Sequence, residues 1–141
     1  MKRLSAKPTV YLIDGSNFSM RFWEKAGGAT PGELEREFVA WLGDVARTEA
    51  LRASCFRVVF DGPYRPAGSA GPSVTLYYSD SEPADEMLIE RGYFMLNEGI
   101  RAVIVTSDNG LRDRARAEGV KTLTCEGFQQ LAQAELRKES R

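Results

Sequence analysis

The sequence predicts an α/β fold, a three-layer α/β/α sandwich built on a five-stranded parallel sheet. Three observations predict it. Short runs of β-branched and aromatic residues alternate, mostly one by one, with longer amphipathic helical patterns. Three of those runs end in an aspartate, in Tyr11-Leu12-Ile13-Asp14-Gly15, Val58-Val59-Phe60-Asp61-Gly62 and Ile104-Val105-Thr106-Ser107-Asp108. Open α/β sheets bind ligands beyond the carboxyl ends of their strands. Finally, 141 residues without repeat or linker are enough for one domain with a real core. The expected division is a basic N-terminal arm over residues 1–8 and a single domain over residues 9–139.

The elements follow in order. Residues 9–14 form the first strand, and Gly15 is expected to let the backbone turn sharply after Asp14. Residues 18–30 read as a mixed segment containing Arg21, Phe22 and Trp23 and ending near Gly27-Gly28. A helix then opens on a capping box of Thr30 and Glu33 with Pro31 at its first position. Leu34, Phe38, Trp41, Leu42 and Val45 give it one apolar face, and it fades near Leu51.

Residues 55–60 are the second strand. Residues 62–73 carry three prolines and three glycines and read as a mobile loop. Residues 74–78 are the third strand, and a helix opened by Pro83 runs through Met95 to a stop at Gly99. The fourth strand spans residues 102–106, with a helix over 109–118 stopped by Gly119. Residues 120–124 make the fifth strand and residues 128–138 the last helix, whose Arg137 and Lys138 suit its negative end.

Composition excludes several classes of function. Hydrophobic and charged fractions of 43% and 28% are those of an ordinary globular protein, not of a disordered or membrane-spanning chain. The net charge of −1 advertises no global basic field, although a basic rim around an acidic centre would cancel in that sum. There is no histidine, which removes His-based acid–base catalysis, His-containing triads and His-bearing zinc sites. Cys55 and Cys125 are far apart in sequence and read as buried free thiols of a reducing compartment. No apolar run is long enough to span a membrane, and the first eight residues lack the apolar centre of a signal peptide, so the cytoplasm is expected.

The acids carry the chemistry. Asp14, Asp61 and Asp108 end parallel strands and should project from one edge of the sheet, while Asp85 opens the helix after the third strand. Two carboxylates about 4 Å apart at an effective dielectric of about 20 repel by about 4 kcal/mol. Such a cluster must take up protons or a cation. Hard oxygen ligands without His or Cys point to Mg²⁺ or Mn²⁺. Asn17 and Ser107 are candidates to orient the acids, with Glu82 and Glu86 as reserve ligands. Singly, each acid has a plainer explanation: Asp108 as a helix cap, Asp61-Gly62 as a turn, Asp85 as a complement to a helix dipole. Asp14 shows no evident capping task.

At these residues the sequence resembles a PIN-fold nuclease of the NYN class, with YacP-like domains the nearest. The matching pieces are Leu12-Ile13-Asp14-Gly15-Ser16-Asn17, Val58-Val59-Phe60-Asp61-Gly62, Glu82-Pro83-Ala84-Asp85-Glu86 and Val103-Ile104-Val105-Thr106-Ser107-Asp108. They occur in the family's order over residues 10–131. The resemblance implies strand order 3-2-1-4-5 and Mg²⁺- or Mn²⁺-dependent cleavage of RNA. It places Asp14, Asp85 and Asp108 as principal metal ligands and catalytic residues, with Asp61 and Asn17 in support. RNA, single-stranded by expectation, is the implied partner, with a ribosome or translation-associated RNA among the candidate carriers and an oligomer left open. Ser16, where the family commonly has an aromatic, and the long loop after Asp61 depart from the pattern and bear on substrate choice.

Arg21, Arg65, Arg112 and Arg114 are candidates for phosphate contact, with Lys25 and the N-terminal arm behind them. Phe22, Trp23 and Tyr64 are candidates to stack on unpaired bases. Phe22 and Trp23 also fit a core, and arginines on a helix fit a solvated face. A divalent-metal-dependent endoribonuclease is the leading reading. The alternatives are a catalytically inactive RNA-binding or adaptor protein on the same scaffold, and a structure-specific 5′-nuclease acting on DNA. The chain is short for the helical arch and helical DNA-binding motif of the latter group. A haloacid-dehalogenase-like phosphatase would need its nucleophilic aspartate at Leu12, and a Rossmann module would need a G-x-G-x-x-G that is missing.

Overall fold

The computed structural model describes residues 5–23 and 30–140. Lys2 and Arg3 of the arm, together with Lys25 and the Gly27-Gly28 pair, lie outside the described residues. Five strands alternate with helices: β1 (Val10–Asp14), β2 (Cys55–Phe60), β3 (Val74–Tyr78), β4 (Ala102–Val105) and β5 (Lys121–Leu123). The helices are α1 (Gly15–Phe22), α2 (Pro31–Ala46), α3 (Ala84–Asn97), α4 (Asn109–Ala117) and α5 (Cys125–Glu139). All strand pairs are parallel and the order is β3-β2-β1-β4-β5, as expected.

The alternation of side chains along a strand assigns each face. Tyr11 and Ile13 pack into an aromatic-rich core with Phe18 of α1, Phe38 of α2, Phe56, Phe60 and Phe128 of α5. Leu12 faces the other way, into a smaller core with Val59, Ile104, Leu88 of α3, and Leu111 and Ala115 of α4. Leu12 and Ile13 are both fully buried, so β1 is an apolar run covered on both faces, as a central parallel strand requires. Each buried phenylalanine contributes about 1.5–3 kcal/mol of transfer free energy, which makes the α1–α2–α5 side the main store of stability. Among the described residues, no helix is long and apolar enough to cross a membrane.

Four local expectations are corrected. Residues 15–22 are a helix, not an irregular segment, and Asp14 is its N-cap, its carboxylate accepting from the amide of Asn17. Gly15 is not at a positive φ; instead its missing Cβ lets α1 start against β2, since a Cβ there would lie 2.6 Å from Val58 Cγ1 and 2.7 Å from Phe60 Cε1. The last helix begins three residues early because Thr124 Oγ1 caps it, accepting from Gly127 N at 2.9 Å. Cys55 is exposed at the start of β2, whereas Cys125 is buried as expected.

Candidate active site

Register sets the site. Asp14 lies opposite Val59 of β2, and the Ile13–Val105 pairing puts Thr106 beside it, just beyond β4. Leu12, Val59 and Ile104 share the face covered by α3 and α4. By two-residue alternation that face continues as Asp14 on β1, Asp61 beyond β2, and Thr106 then Asp108 beyond β4. The same face carries the N-terminus of α3, where Asp85 sits in the first turn. Asp14, Asp61, Asp85 and Asp108 accordingly line one cavity of about 230 Å³ together with Pro83, Ala84 and Leu111. The four acids singled out by sequence are brought together.

Hydrogen bonds anchor each carboxylate, Asp14 through both oxygens and the other three through one. Asp14 Oδ1 accepts from Asn17 N at 3.3 Å and its Oδ2 from the buried Thr106 hydroxyl at 3.0 Å. Asp61 Oδ1 accepts from Ala84 N at 3.2 Å, tying the end of β2 to the start of α3. Asp85 Oδ1 accepts from Glu86 N at 3.0 Å, and Asp108 Oδ1 caps α4 through Leu111 N at 2.9 Å. The capping explanation for Asp108 is therefore true, and Asp85 does lie in the first turn of α3, where its charge complements the helix dipole. The same contacts also fix the acids around one space, so cap and site are the same structure.

Electrostatics single out Asp14. Burial pushes its pKa up from 3.8 to about 6, assisted by the charges of Asp61 and Asp108 and opposed by the Thr106 and Asn17 hydrogen bonds. On the rim, Arg114 of α4 reaches α3, lying 2.9 Å from Glu86 and 3.7 Å from Asp85. This holds Glu86 below the usual carboxylate range. As they stand, no three acidic or cysteine side chains among the described residues are arranged to hold an ion. Their donor set nonetheless suits a hard divalent cation: it is all oxygen, and Oδ2 of Asp61 and of Asp108 accepts no hydrogen bond among the described residues.

The other candidates divide. Asn17 and Ser107 bind each other, Ser107 N donating to Asn17 Oδ1 at 3.0 Å, which locks α1 to the end of β4. Asn17 Oδ1 also receives the Cys125 thiol at 3.3 Å. Arg21 stands at the same edge, its guanidinium 2.6 Å from Glu126, whose other oxygen accepts from Ser107 Oγ at 2.6 Å. Glu82 lies in a different groove with Arg57, Glu90 and Arg91, away from the acids. Arg112, one turn beyond Asp108, lines a separate groove with Thr122, Thr124 and Gln130 and is not among the residues that line the acid cavity. Phe22 and Trp23 pack on Phe18, with ring centroids at 5.1 and 6.0 Å, as core residues and not as a stacking surface.

Arg65 is fully engaged. Its Nε and Nη2 grip both oxygens of the buried Glu35 at 3.0 and 2.5 Å, and its Nη1 donates to the carbonyls of Asp61 and Pro63. Tyr64 beside it is 74% exposed.

Sequence reasoning missed Thr106 and Glu126. Thr106 had a signal, because Ile104, Thr106 and Asp108 alternate onto one face, next to Asp14 once β4 neighbours β1. Glu126 had none, since nothing local shows that α5 starts beside Arg21.

The model of the YacP-like NYN domain matches residues 11–141 of the chain. No curated protein matches it significantly. Among solved structures, Rae1 (YacP) from Bacillus subtilis is similar at 15% identity, covering 94% of this chain and 78% of that one with a TM-score of 0.76. A single-substitution mutant of the same protein gives a TM-score of 0.77 at 15% identity, over 94% of this chain and 80% of the other. At that identity the likeness establishes the shared fold.

Proposed function

Because this chain belongs to the YacP-like NYN domain family, with a nuclease-type fold, we propose that it is a divalent-metal-dependent ribonuclease cutting single-stranded RNA internally. The observation that carries the reading is the joint placement of Asp14, Asp61, Asp85 and Asp108 around one cavity at the carboxyl edge of the sheet. Asp14, Asp85 and Asp108 would hold Mg²⁺ or Mn²⁺, with Asp61 in support. Bound there, the ion would offset the mutual repulsion of the acids, polarise a phosphodiester and lower the pKa of water.

The chain's own groups do the positioning. Thr106 and Asn17 hold the Asp14 carboxylate in one orientation, so little reorganisation is needed when charge gathers in the cavity. Arg21, anchored by Glu126 at the same edge, would contact a backbone phosphate. No histidine is needed, because no side-chain nucleophile or imidazole base enters the scheme.

The test is cleavage of a single-stranded RNA with Mn²⁺ present. Asp14→Asn and Asp108→Asn should each abolish cleavage while retaining the wild-type circular dichroism spectrum. Full wild-type activity in excess chelator would refute the reading. The Arg114 bridge to Asp85 and Glu86 favours one rival, an inactive RNA-binding scaffold in which the arginine replaces the ion. Tight RNA binding without turnover in either metal is its signature.

A further inference from the structure

The Pro- and Gly-rich loop that follows Asp61 begins at the acid cavity, which Asp61 itself lines. Within it, Arg65 makes four hydrogen bonds, two to the buried Glu35 of α2 and two to the carbonyls of Asp61 and Pro63. Its guanidinium also lies 5.3 Å from the Tyr78 ring centroid and 5.6 Å from that of Phe60. The short segment from Asp61 to Arg65 is thereby closed on itself and bolted to α2 and to the sheet. Tyr64 rides on this anchored turn, its ring inclined at 75° to that of Tyr78 with the centroids 5.2 Å apart. A tyrosine 74% exposed is held by one neighbour and presents its remaining surface to solvent.

We infer that Tyr64 is a stacking platform for one unpaired nucleobase of the substrate, and that Glu35 and Arg65 are the residues that position it. The inference rests on the nuclease reading of the acid cavity. Three residues of extended chain span at most about 11 Å, so Tyr64 is within a few nucleotides of a phosphodiester over Asp61. An exposed aromatic face is sequence-tolerant, because every base offers a π-face. It demands that the base be unstacked from its neighbours, which a duplex does not supply without unpairing. The anchoring lowers the cost of binding, since the ring does not have to be ordered when the base arrives. The predicted substrate class is therefore single-stranded or looped RNA with free bases near the cut.

The test uses fluorescence anisotropy with a short labelled single-stranded RNA of mixed sequence and a strand of equal length carrying abasic riboses throughout. The wild-type protein should prefer the strand with bases by about five- to hundredfold, the range expected for one base stacked on an aromatic ring. Tyr64→Ala should lose most of that preference and bind the abasic strand as the wild type does, whereas Tyr64→Phe should keep it. Equal losses on both strands, or no loss on either, would overturn the inference. Binding is read without turnover, so a protein that fails to cleave but discriminates the two strands would sink the catalytic reading alone. Thermal melting of each variant checks the fold, which an exposed side chain should not disturb.

Discussion

The hydroxyl of Thr106 donates to Asp14 Oδ2 at 3.0 Å while its oxygen accepts the amide of Asp108 at 3.2 Å. One fully buried threonine thus couples the acid at the end of β1 to the backbone of the acid beyond β4. That hydrogen bond favours the ionised form of Asp14 and restrains a pKa that burial has lifted to about 6. Thr106→Val removes it with little change of shape. The pH below which Mn²⁺ affinity collapses should then rise by about one pH unit, because protons compete with the cation for a more basic carboxylate. Calorimetric titration across pH 5 to 8 (roughly the window in which this Asp titrates) measures it, and an unmoved midpoint would contradict the coupling.

Asp14 should also be a burden on the metal-free fold. Its folded pKa of about 6 exceeds the ordinary 3.8, so between these values the folded state binds more protons than the unfolded one. Stability is lost as pH rises through that interval, a gap equivalent to about 3 kcal/mol at most. Asparagine keeps the capping role without the charge. In chelator, Asp14→Asn should melt higher than wild type at neutral pH, and the two curves should converge near pH 4 (about the unfolded Asp value). A variant that melts lower at neutral pH would show that the buried charge is already compensated.

Arg114 would compete with a cation for Asp85 and Glu86. It lies 3.7 Å from Asp85 and 2.9 Å from Glu86 on the exposed rim. Arg114→Gln removes a positive charge from beside the cavity. Mn²⁺ affinity should tighten several-fold, by about 1 kcal/mol at the effective dielectric of a protein surface. Weaker binding in calorimetry would mean that the arginine orients Asp85 instead of opposing the ion.

Gly15 tests how closely α1 must approach the sheet. A Cβ there would meet Val58 Cγ1 at 2.6 Å and Phe60 Cε1 at 2.7 Å, both rigid core atoms. Gly15→Ala should cost about 1–3 kcal/mol through overpacking, against any gain in helix propensity. It should also shift Asp14 and so depress cleavage beyond the loss of fold. Urea unfolding and activity at a temperature where both proteins are folded separate the two effects.

The parallel sheet and the gathering of the acids were legible because they depend on short-range signals: apolar strands, strand-end carboxylates, and caps such as Thr30 with Glu33. The strand order, a long-range property, followed only from the family resemblance. Asp14 was legible as a site but not as a cap, since α1 is brief and its aromatic residues also suit an irregular segment. Gly15 was noticed for the wrong reason, because local sequence shows a glycine's freedom of φ but not the neighbour that excludes its Cβ. Arg65 looked like a free cation for phosphate, and only the tertiary structure shows Glu35 buried beneath it. The partnership of Arg21 with Glu126 spans most of the chain and left no local trace.

The central claim is that these four acids hold a divalent cation. Crystals soaked in Mn²⁺ and measured near the manganese absorption edge test it most directly. An anomalous peak inside the cavity bounded by Asp14, Asp61, Asp85 and Asp108, lost in Asp108→Asn, is the predicted result. A well-ordered cavity without a peak, with Arg114 still spanning Asp85 and Glu86, would contradict it.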